Sequence, residues 1–396
     1  MFKNFLKLFS GNAFAQAIQL LGLLVLTTLY IPDDFGVLGK IQSISAILTI
    51  VLTLQLQHII PLSKNEKEAT LQTSLVFSTL LIMFTLIITI SFFISKEYIF
   101  ATLFAFLLAI VNLLNNFLIY RGEFTSLSLI FILRAIFIVI LQLLFFYVKV
   151  DYGLLLGAFI GELVSVLFIF LYKKLFFITF FYKNSLKSVK SLVVEWRSYT
   201  IFGTIQELLS VLIYSLPVIF YVDKFGENIG GQFSMAYRLI WAPTVLVSSS
   251  LAQVLTHKFA KDNDFVFLKS VFWFDKRLIV VLVLLFMGLF YIDFINQNYL
   301  ANKWAITFQL FPYMFVNAVF FLFANPYRVA LRIKKLNIVI LIIEVFTILS
   351  IVAMFYFMNV DVILFTFAIT CLSVVQNIMI VGGYYLNKNH FVNSVI

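Results

Sequence analysis

Long apolar runs follow one another along almost the whole chain, and they leave few ways for it to fold. An α-helix needs about 20 apolar residues to cross a hydrocarbon core about 30 Å thick. Twelve runs approach or exceed that length, at 12–31, 37–62, 71–95, 98–120, 124–148, 152–172, 199–222, 230–256, 277–293, 305–327, 336–357 and 362–386. The sequence therefore predicts an all-α polytopic membrane protein with twelve transmembrane helices.

The small share of charged residues argues against a soluble protein. Charged residues make up 12% of the chain and hydrophobic residues 63%, whereas soluble domains are about 25% charged. The chain has one cysteine, Cys371, and three histidines far apart in the sequence, so we predict no metal site and no cofactor. It lacks the GxxxxGK[ST] phosphate loop and the HExxH motif. These features favour a transporter over an enzyme.

Positive charge is distributed unevenly between the two ends of the predicted spans. With both termini in the cytoplasm, 21 Lys and Arg residues fall on inner segments and 5 on outer turns. Since positive charge collects on cytoplasmic loops, this asymmetry supports twelve spans and predicts cytoplasmic N- and C-termini. The same rule explains the net charge of +10 without a nucleic-acid partner.

A hydrophilic segment at 173–198 divides the spans into two sets of six, an N-terminal lobe at 1–172 and a C-terminal lobe at 199–396. The segment is either an amphipathic helix on the inner leaflet or a charged linker. Both lobes carry a similar motif after their first span, Tyr-Ile-Pro-Asp-Asp-Phe-Gly at 30–36 and Tyr-Val-Asp-Lys-Phe-Gly at 221–226. Six spans in each lobe predict repeats related by a parallel pseudo-two-fold axis along the membrane normal.

The two spans that open the C-terminal lobe form a predicted helical hairpin with polar residues in its interior. Spans 199–222 and 230–256 flank a short turn that contains Gly226 and Gly230. An ionisable residue at the membrane centre costs about 2.5 kcal/mol or more, so it faces other helices or water. We therefore expect this hairpin to handle a polar or charged substrate.

Several ionisable residues fall well inside predicted spans. Arg134 and Glu162 lie near the middle of consecutive spans and are a possible buried ion pair. Glu207 is a possible coupling site for H+ or Na+. Arg238 lies in the outer half of the eighth span, and its guanidinium is a natural partner for phosphate.

Polar residues also recur at helical spacing, which places them on one face of a helix. Such a face either lines a cavity or makes hydrogen bonds between helices. The predicted substrate-cavity residues are Asn12, Gln16, Gln19, Ser210, Tyr214, Arg238 and Trp241.

Four short motifs carry a resemblance to a known family. They are Asp-Asp-Phe-Gly-Val-Leu at 33–38, Lys-Asn-Glu-Lys-Glu-Ala at 64–69, Gly-Gln-Phe-Ser-Met-Ala-Tyr-Arg at 231–238 and Asn-Lys-Trp-Ala at 302–305. With them the chain resembles the Wzx-type polysaccharide flippases, over nearly its whole length. These belong to the multidrug/oligosaccharidyl-lipid/polysaccharide exporter superfamily.

The resemblance implies the exporter-superfamily fold and a flippase. Its substrate would be undecaprenyl-diphosphate-linked oligosaccharide repeat units, moved from the inner to the outer face by alternating access for O-antigen, capsule or exopolysaccharide synthesis. Membrane lipid and the polysaccharide polymerase machinery are the implied partners. Arg238 aligns with a family arginine. Where family members often carry an arginine near the end of the first span, this chain has Leu-Thr-Thr-Leu at 26–29, and Lys40 is the nearest substitute.

Two other functions remain open. An ion-coupled small-molecule or drug exporter of the same superfamily predicts an acidic cavity, yet the first span has no Asp or Glu. A membrane enzyme of surface-glycan synthesis predicts a long outer loop or a His/Asp pair at one face, and neither is present in the sequence.

Overall fold

The computed structural model describes residues 2–173, 190, 193–197, 199–262, 303–333 and 336–387, and all regular structure in these ranges is helical. A π-helical turn, Tyr199–Gly203, and a 3-10 helix, Leu56–Leu62, accompany ten α-helices. The α-helices are α1 Phe2–Leu29, α2 Pro32–Thr53, α3 Glu66–Ile94, α4 Lys96–Tyr120, α5 Phe124–Tyr147, α6 Gly153–Lys173, α7 Thr204–Asp262, α8 Ala305–Ile333, α9 Asn337–Phe357 and α10 Val362–Leu386.

Within the described ranges, ten helices have the length and composition needed to cross a membrane. The segment at 200–248 contains two of the predicted spans, because its helix is broken at Gly226. The ninth predicted span, 277–293, and most of the linker at 173–198 lie outside the described residues. The all-α membrane fold is confirmed, and twelve spans in two lobes are consistent with it.

Several predicted span ends differ from the observed helix ends, and two of these differences have an identifiable physical cause. The second span was expected to reach residue 62, but α2 ends at Thr53 because Leu54 and Gln55 adopt left-handed φ angles of 46° and 55°. The tenth span was expected to end at 327, but α8 continues to Ile333. Its last turns stay helical because Ala330 and Leu331 are fully buried in a hydrophobic cluster.

Side-chain caps fix the start of several helices. The Asn65 side chain accepts a hydrogen bond from the backbone N–H of Glu68 at 2.9 Å, and Asp361 accepts one from Leu364 at 3.0 Å. Each cap satisfies a backbone donor that the first turn of a helix leaves free. These caps set where α3 and α10 begin.

Residues 1–219 form one compact unit. Its helices approach closely through small residues. A Cβ at Gly11 on α1 would lie 2.3 Å from the Ser128 Cβ on α5, and one at Gly161 on α6 would lie 2.6 Å from the Ile138 Cα. Such close contacts are typical of membrane helices, which associate by contact between small residues because lipid gives no hydrophobic driving force.

Residues 220–396 form the second compact unit. Its helices α8, α9 and α10 share a buried cluster that includes Leu331, Ile340, Ile380 and Tyr384. Residues 199–219, which the sequence assigns to the C-terminal lobe, are grouped with the first unit. The lobe boundaries drawn from the sequence stay a prediction.

Candidate substrate and coupling residues

The polypeptide reverses direction inside α7. Gly226 has φ 88° and ψ 167°, outside the helical region, and it separates a first arm at 204–225 from a second arm at 227–262. A Cβ at Gly230 would lie 2.9 Å from the Val222 Cα, although eight residues span about 12 Å along a straight helix. The arms are therefore in direct contact, as a hairpin requires.

The hairpin is held to the second unit by its turn and its second arm. The Lys224 ammonium donates hydrogen bonds to the carbonyls of Phe355, at 2.9 Å, and Met358, at the end of α9. A cation there is favoured by the partial negative charge of a helix C-terminus. The Gln232 side chain accepts from the backbone N–H of Ile306 at 2.9 Å and of Thr307 at 3.2 Å, which fixes the start of α8.

A row of aromatic rings runs along the second arm and ends on α8. Phe233, Tyr237 and Trp241 follow each other at intervals of four residues, with ring centroids 6.4 and 5.5 Å apart. Trp241 then lies 5.0 Å from Phe321 of α8. Phe233 is buried, whereas Tyr237, Trp241 and Phe321 are half-buried. The half-buried rings give the second unit a surface that suits flat apolar groups.

Two arginines accompany this aromatic row. Arg238 is half-buried and lies between Tyr237 and Trp241 along the second arm. Arg328 of α8 is 8% exposed, and its guanidinium carbon lies 5.6 Å from the centre of the Phe321 ring. The Arg328 Nε has no hydrogen-bond partner among the described residues. Cations beside rings favour ligands that combine negative charge with a flat face.

The remaining predicted cavity residues belong to the first unit. Ser210 and Tyr214 are half-buried on the first arm, and Glu207, one turn before them, is exposed. The other three predicted polar residues lie on α1, which contacts α5 at Gly11 and Gly22. Of these, Asn12 and Gln16 are half-buried and Gln19 is exposed. Whether they share one cavity with Arg238 and Trp241 stays a prediction.

Arg134 and Glu162 form an ion pair between α5 and α6. The Arg134 Nε donates to Glu162 Oε2 at 2.6 Å, and a terminal guanidinium nitrogen contacts the other carboxylate oxygen. The Glu162 side chain is 2% exposed and the Arg134 side chain 27%. Two parallel hydrogen bonds fix the relative position of the two helices.

The 3-10 helix between α2 and α3 carries a polar residue, His58, that the sequence analysis did not select. The 3-10 helix buries Leu56, Ile59 and Ile60 in a cluster that also contacts Val193 and Trp196, just before α7. His58 projects from the same turn with an exposed side chain. The connector between α2 and α3 and the residues just before α7 therefore pack against one hydrophobic cluster.

His58 has two polar neighbours from other helices. Asn116 of α4 and Glu207 of the first arm both influence the pKa of the His58 side chain. Burial of the charged form lowers the pKa of His58, and Glu207 and Asn116 raise it by a smaller amount.

Buried polar atoms lie on the same segments. Gln57 Oε1, Asn115 Oδ1 and Thr204 Oγ1 have no hydrogen-bond partner in the part of the chain that the structure describes. Gln57 precedes His58, Asn115 precedes Asn116, and Thr204 lies one turn before Glu207. Two features of the sequence could have indicated these residues. One is the set of polar residues Gln55, Gln57 and His58 at the end of an apolar run, and the other is a pair of adjacent asparagines inside a second apolar run.

No protein-family model and no curated protein matches this sequence. The structure is similar to an inward-facing multidrug resistance MATE family transporter of the MOP superfamily, with a TM-score of 0.69 and 13% identity over 96% of each chain. It is also similar to an outward-facing transporter of that description, with a TM-score of 0.58 and 16% identity over 99% of this chain and 96% of the other.

A third similar structure is a MOP superfamily transporter from Pyrococcus furiosus Vc1 (DSM3638), whose binding pocket is described as having reverse polarity. The TM-score is 0.59 and the identity 14%, over 98% of this chain and 96% of the other. At this level of identity the similarity shows the fold alone. The chain is a multi-pass membrane protein with the fold of the MATE transporters of the MOP superfamily.

Proposed function

We propose that this protein is an ion-coupled exporter of small amphiphilic molecules that works by alternating access. The observation that carries the proposal is the fold, which matches inward-facing and outward-facing MATE family transporters over nearly the whole chain. The half-buried rings of Tyr237, Trp241 and Phe321 support it, because they offer stacking partners for flat organic molecules. Among the functions considered, a drug-type exporter agrees best with these similar structures.

Dye transport into proteoliposomes tests this proposal. Ethidium, a flat aromatic cation, and fluorescein, a flat aromatic anion, are offered separately in the presence of a pH or Na+ gradient. We expect gradient-dependent movement of at least one dye, and a loss of about fivefold on Trp241→Ala, since stacking contributes about 1 kcal/mol. Trp241→Phe should recover most of the transport. Absence of movement of both dyes in the wild type contradicts the proposal.

A matched control separates a lost binding contact from a damaged fold. Tyr356 is 73% exposed at the end of α9, so Tyr356→Ala removes an aromatic ring far from the row in sequence without opening a core. We expect wild-type transport from this variant. If Tyr356→Ala loses as much transport as Trp241→Ala, the effect of Trp241 is not specific to the aromatic row.

Flipping of diphosphate-linked oligosaccharides is the second candidate function. It is supported by Arg328, which lies against the Phe321 ring, and by Arg238 on the same helical arm as Tyr237 and Trp241, since guanidinium groups bind phosphate oxygens and rings pack against sugars. A deletion strain complemented with wild type or Arg238→Ala at matched expression tests it through surface glycan display. Trapped lipid-linked repeat units at the inner face support a flippase. Normal polymer with raised dye sensitivity supports the exporter, and unpolymerised units outside point to a polymerase.

Placement in the cytoplasmic membrane with both termini inside is part of the proposal. It is supported by the excess of Lys and Arg on the predicted inner segments. Fusions of a reporter that is active on one side of the membrane, made separately at each terminus, test it. Activity of an extracytoplasmic reporter at either terminus contradicts this orientation.

A further inference from the structure

The Arg328 side chain turns inward from the last turns of α8. Its position lies just beyond the predicted end of a span, where a long basic side chain normally extends outward so that its charge reaches water. Here the guanidinium carbon lies 5.6 Å from the centre of the Phe321 ring, about two turns back along the helix, and the residue is 8% exposed. The charge is therefore held inside the second unit.

This guanidinium has an unused hydrogen-bonding edge. Within the described ranges, Arg328 Nε has no hydrogen-bond partner, and no ion pair joins Arg328 to a carboxylate. The Phe321 ring attracts the charge, but a ring centre 5.6 Å away does not accept a hydrogen bond from Nε. Because a buried charge without a hydrogen-bonding partner is costly, an anion that joins Arg328 stabilises the arrangement.

The second arm of α7 and α8 face each other around this edge. The Asn325 side chain, one turn before Arg328, donates a hydrogen bond to the Ser248 carbonyl of the arm at 3.1 Å. Trp241 is seven residues before Ser248, on the same face of the arm, and its ring lies 5.0 Å from Phe321. Phe321, Asn325 and Arg328, at spacings of four and three, share the facing side of α8. The two helices thus hold both rings and the guanidinium on one surface of the unit.

The charge along these two helices has one sign. No Asp or Glu occurs in the sequence at 228–261 or on α8. Both segments carry basic residues, which are Arg238, Lys258, Lys261, Arg328 and Arg332. A site for organic cations needs carboxylates beside its rings, whereas basic residues attract anions and repel cations. The charge therefore favours a ligand with a negative group.

We propose that Arg328, Phe321 and Trp241 form a binding subsite for aromatic oxyanions, which carry a carboxylate, sulfonate or phosphate on a flat ring. The oxyanion accepts two parallel hydrogen bonds from the Nε edge of the guanidinium. The attached ring lies against the half-buried rings of Phe321 and Trp241. This inference rests on the proposed export function, whose substrate class it names.

Equilibrium binding to the full-length protein in nanodiscs tests the subsite without any gradient. Fluorescein and ethidium are the anionic and cationic probes, and fluorescence anisotropy measures the affinity of each. We expect Arg328→Met to weaken fluorescein binding by about tenfold to a hundredfold, the effect of losing hydrogen bonds to a charged group. Ethidium binding should stay the same or become tighter, because a positive charge is removed. Unchanged fluorescein binding in Arg328→Met overturns the inference.

A charge control and a stability measurement separate binding from folding. Lys67→Gln, which removes an exposed positive charge on α3, should bind both dyes as the wild type does. Without ligand, Arg328→Met should unfold at the wild-type temperature or above it, because it removes an unpaired buried charge. Added 1-naphthoate should raise the midpoint of the wild type and leave that of Arg328→Met unchanged. A lower midpoint in Arg328→Met with loss of both dyes would show a structural role and overturn the inference.

A further arm distinguishes free aromatic anions from lipid-linked diphosphates, which also present an oxyanion. Unlabelled 1-naphthoate and farnesyl diphosphate, which has no aromatic ring, compete separately with fluorescein. We expect Phe321→Leu to weaken 1-naphthoate by about fivefold, since it loses the ring contact, and to leave farnesyl diphosphate unchanged. If 1-naphthoate is unaffected while farnesyl diphosphate competes through Arg328, the aromatic class is overturned in favour of a lipid diphosphate.

The two proposals fail in distinguishable ways. If fluorescein binds through Arg328 but no gradient moves either dye, the exporter proposal fails and the anion subsite stands. If a gradient drives dye transport but Arg328→Met binds and transports fluorescein as the wild type does, the exporter stands and the subsite fails.

Discussion

Tyr221 and Phe233 stack with their ring centroids 3.8 Å apart, although twelve residues of one straight helix would separate them by about 18 Å. The stack joins the two arms of α7, and Tyr221 at its centre is fully buried. The reversal at Gly226 is what brings the rings together. The backbone conformation at Gly226 and this aromatic contact thus both stabilise the hairpin.

We expect Gly226→Ala to destabilise the protein by about 1–2 kcal/mol, since a side chain at φ 88° is strained whatever space surrounds it. Gly382→Ala is the matched control. Gly382 lies inside α10, and nothing lies within 4 Å of a Cβ there, so alanine should be neutral or stabilise by up to about 1 kcal/mol. Unfolding in mixed detergent measures both, and equal losses would contradict the role of Gly226.

We expect Tyr221→Phe to lower the free energy of unfolding by about 0.5–1.5 kcal/mol. The change removes the hydroxyl contact with Thr366 of α10 and keeps the ring stack. Thr366→Val breaks the same contact from the other side. In a double-mutant cycle the combined variant should therefore cost less than the two single losses added together. Strict additivity would show that the two hydroxyls do not interact.

We expect Arg134→Leu to cost about 3–5 kcal/mol, because it leaves the Glu162 carboxylate buried without its partner. Replacing both residues with leucine should recover much of the loss. The control is Lys40–Glu97, an ion pair at 2.8 Å whose Glu97 side chain is 54% exposed. Glu97→Gln should cost less than about 1 kcal/mol. If both pairs respond equally in unfolding experiments, burial is not what makes the Arg134 pair important.

We expect stability to fall as the pH is lowered, with His58 as one cause. The folded protein holds the pKa of His58 below its value of 6.5 in the unfolded chain, so the unfolded state binds this proton first. The contribution is complete above about pH 6.5 and is lost as the pH falls through the folded pKa. Thermal midpoints should show a smaller acid loss in His58→Gln and a larger one in Glu207→Gln. The reverse order would contradict this assignment.

Much of the fold followed from the sequence because a membrane imposes a simple rule. A backbone in hydrocarbon must satisfy its hydrogen bonds internally, so a long apolar run becomes a helix whatever its neighbours are. The Arg134–Glu162 contact followed from a similar argument, since charges at equal depth on consecutive helices are within reach of each other. In these cases the depth of each residue in the membrane and the order of the helices along the chain were sufficient for the prediction.

Features that depend on distant contacts did not follow from the sequence. The end of α2 is set by two residues with left-handed φ angles, Leu54 and Gln55, of types that rarely adopt them. The residues that influence the pKa of His58 come from α4 and from the first arm of α7, which are separated from the connector by long stretches of chain. Similar motifs at 30–36 and 221–226 also differ in structure, since Gly36 lies inside α2 whereas Gly226 breaks α7.

The close fit of α1 against α5 has a consequence for how the protein is made. Gly11 contacts Ser128 and Gly22 contacts Val139. The face of α1 that contains these glycines therefore packs against a helix that is synthesised much later. At about 5–20 residues per second, the intervening stretch of roughly 120 residues takes about 6–24 seconds to emerge. During that interval α1 stands in the bilayer without its partner. We therefore expect the insertion machinery or another membrane protein to shield its glycine face during biogenesis.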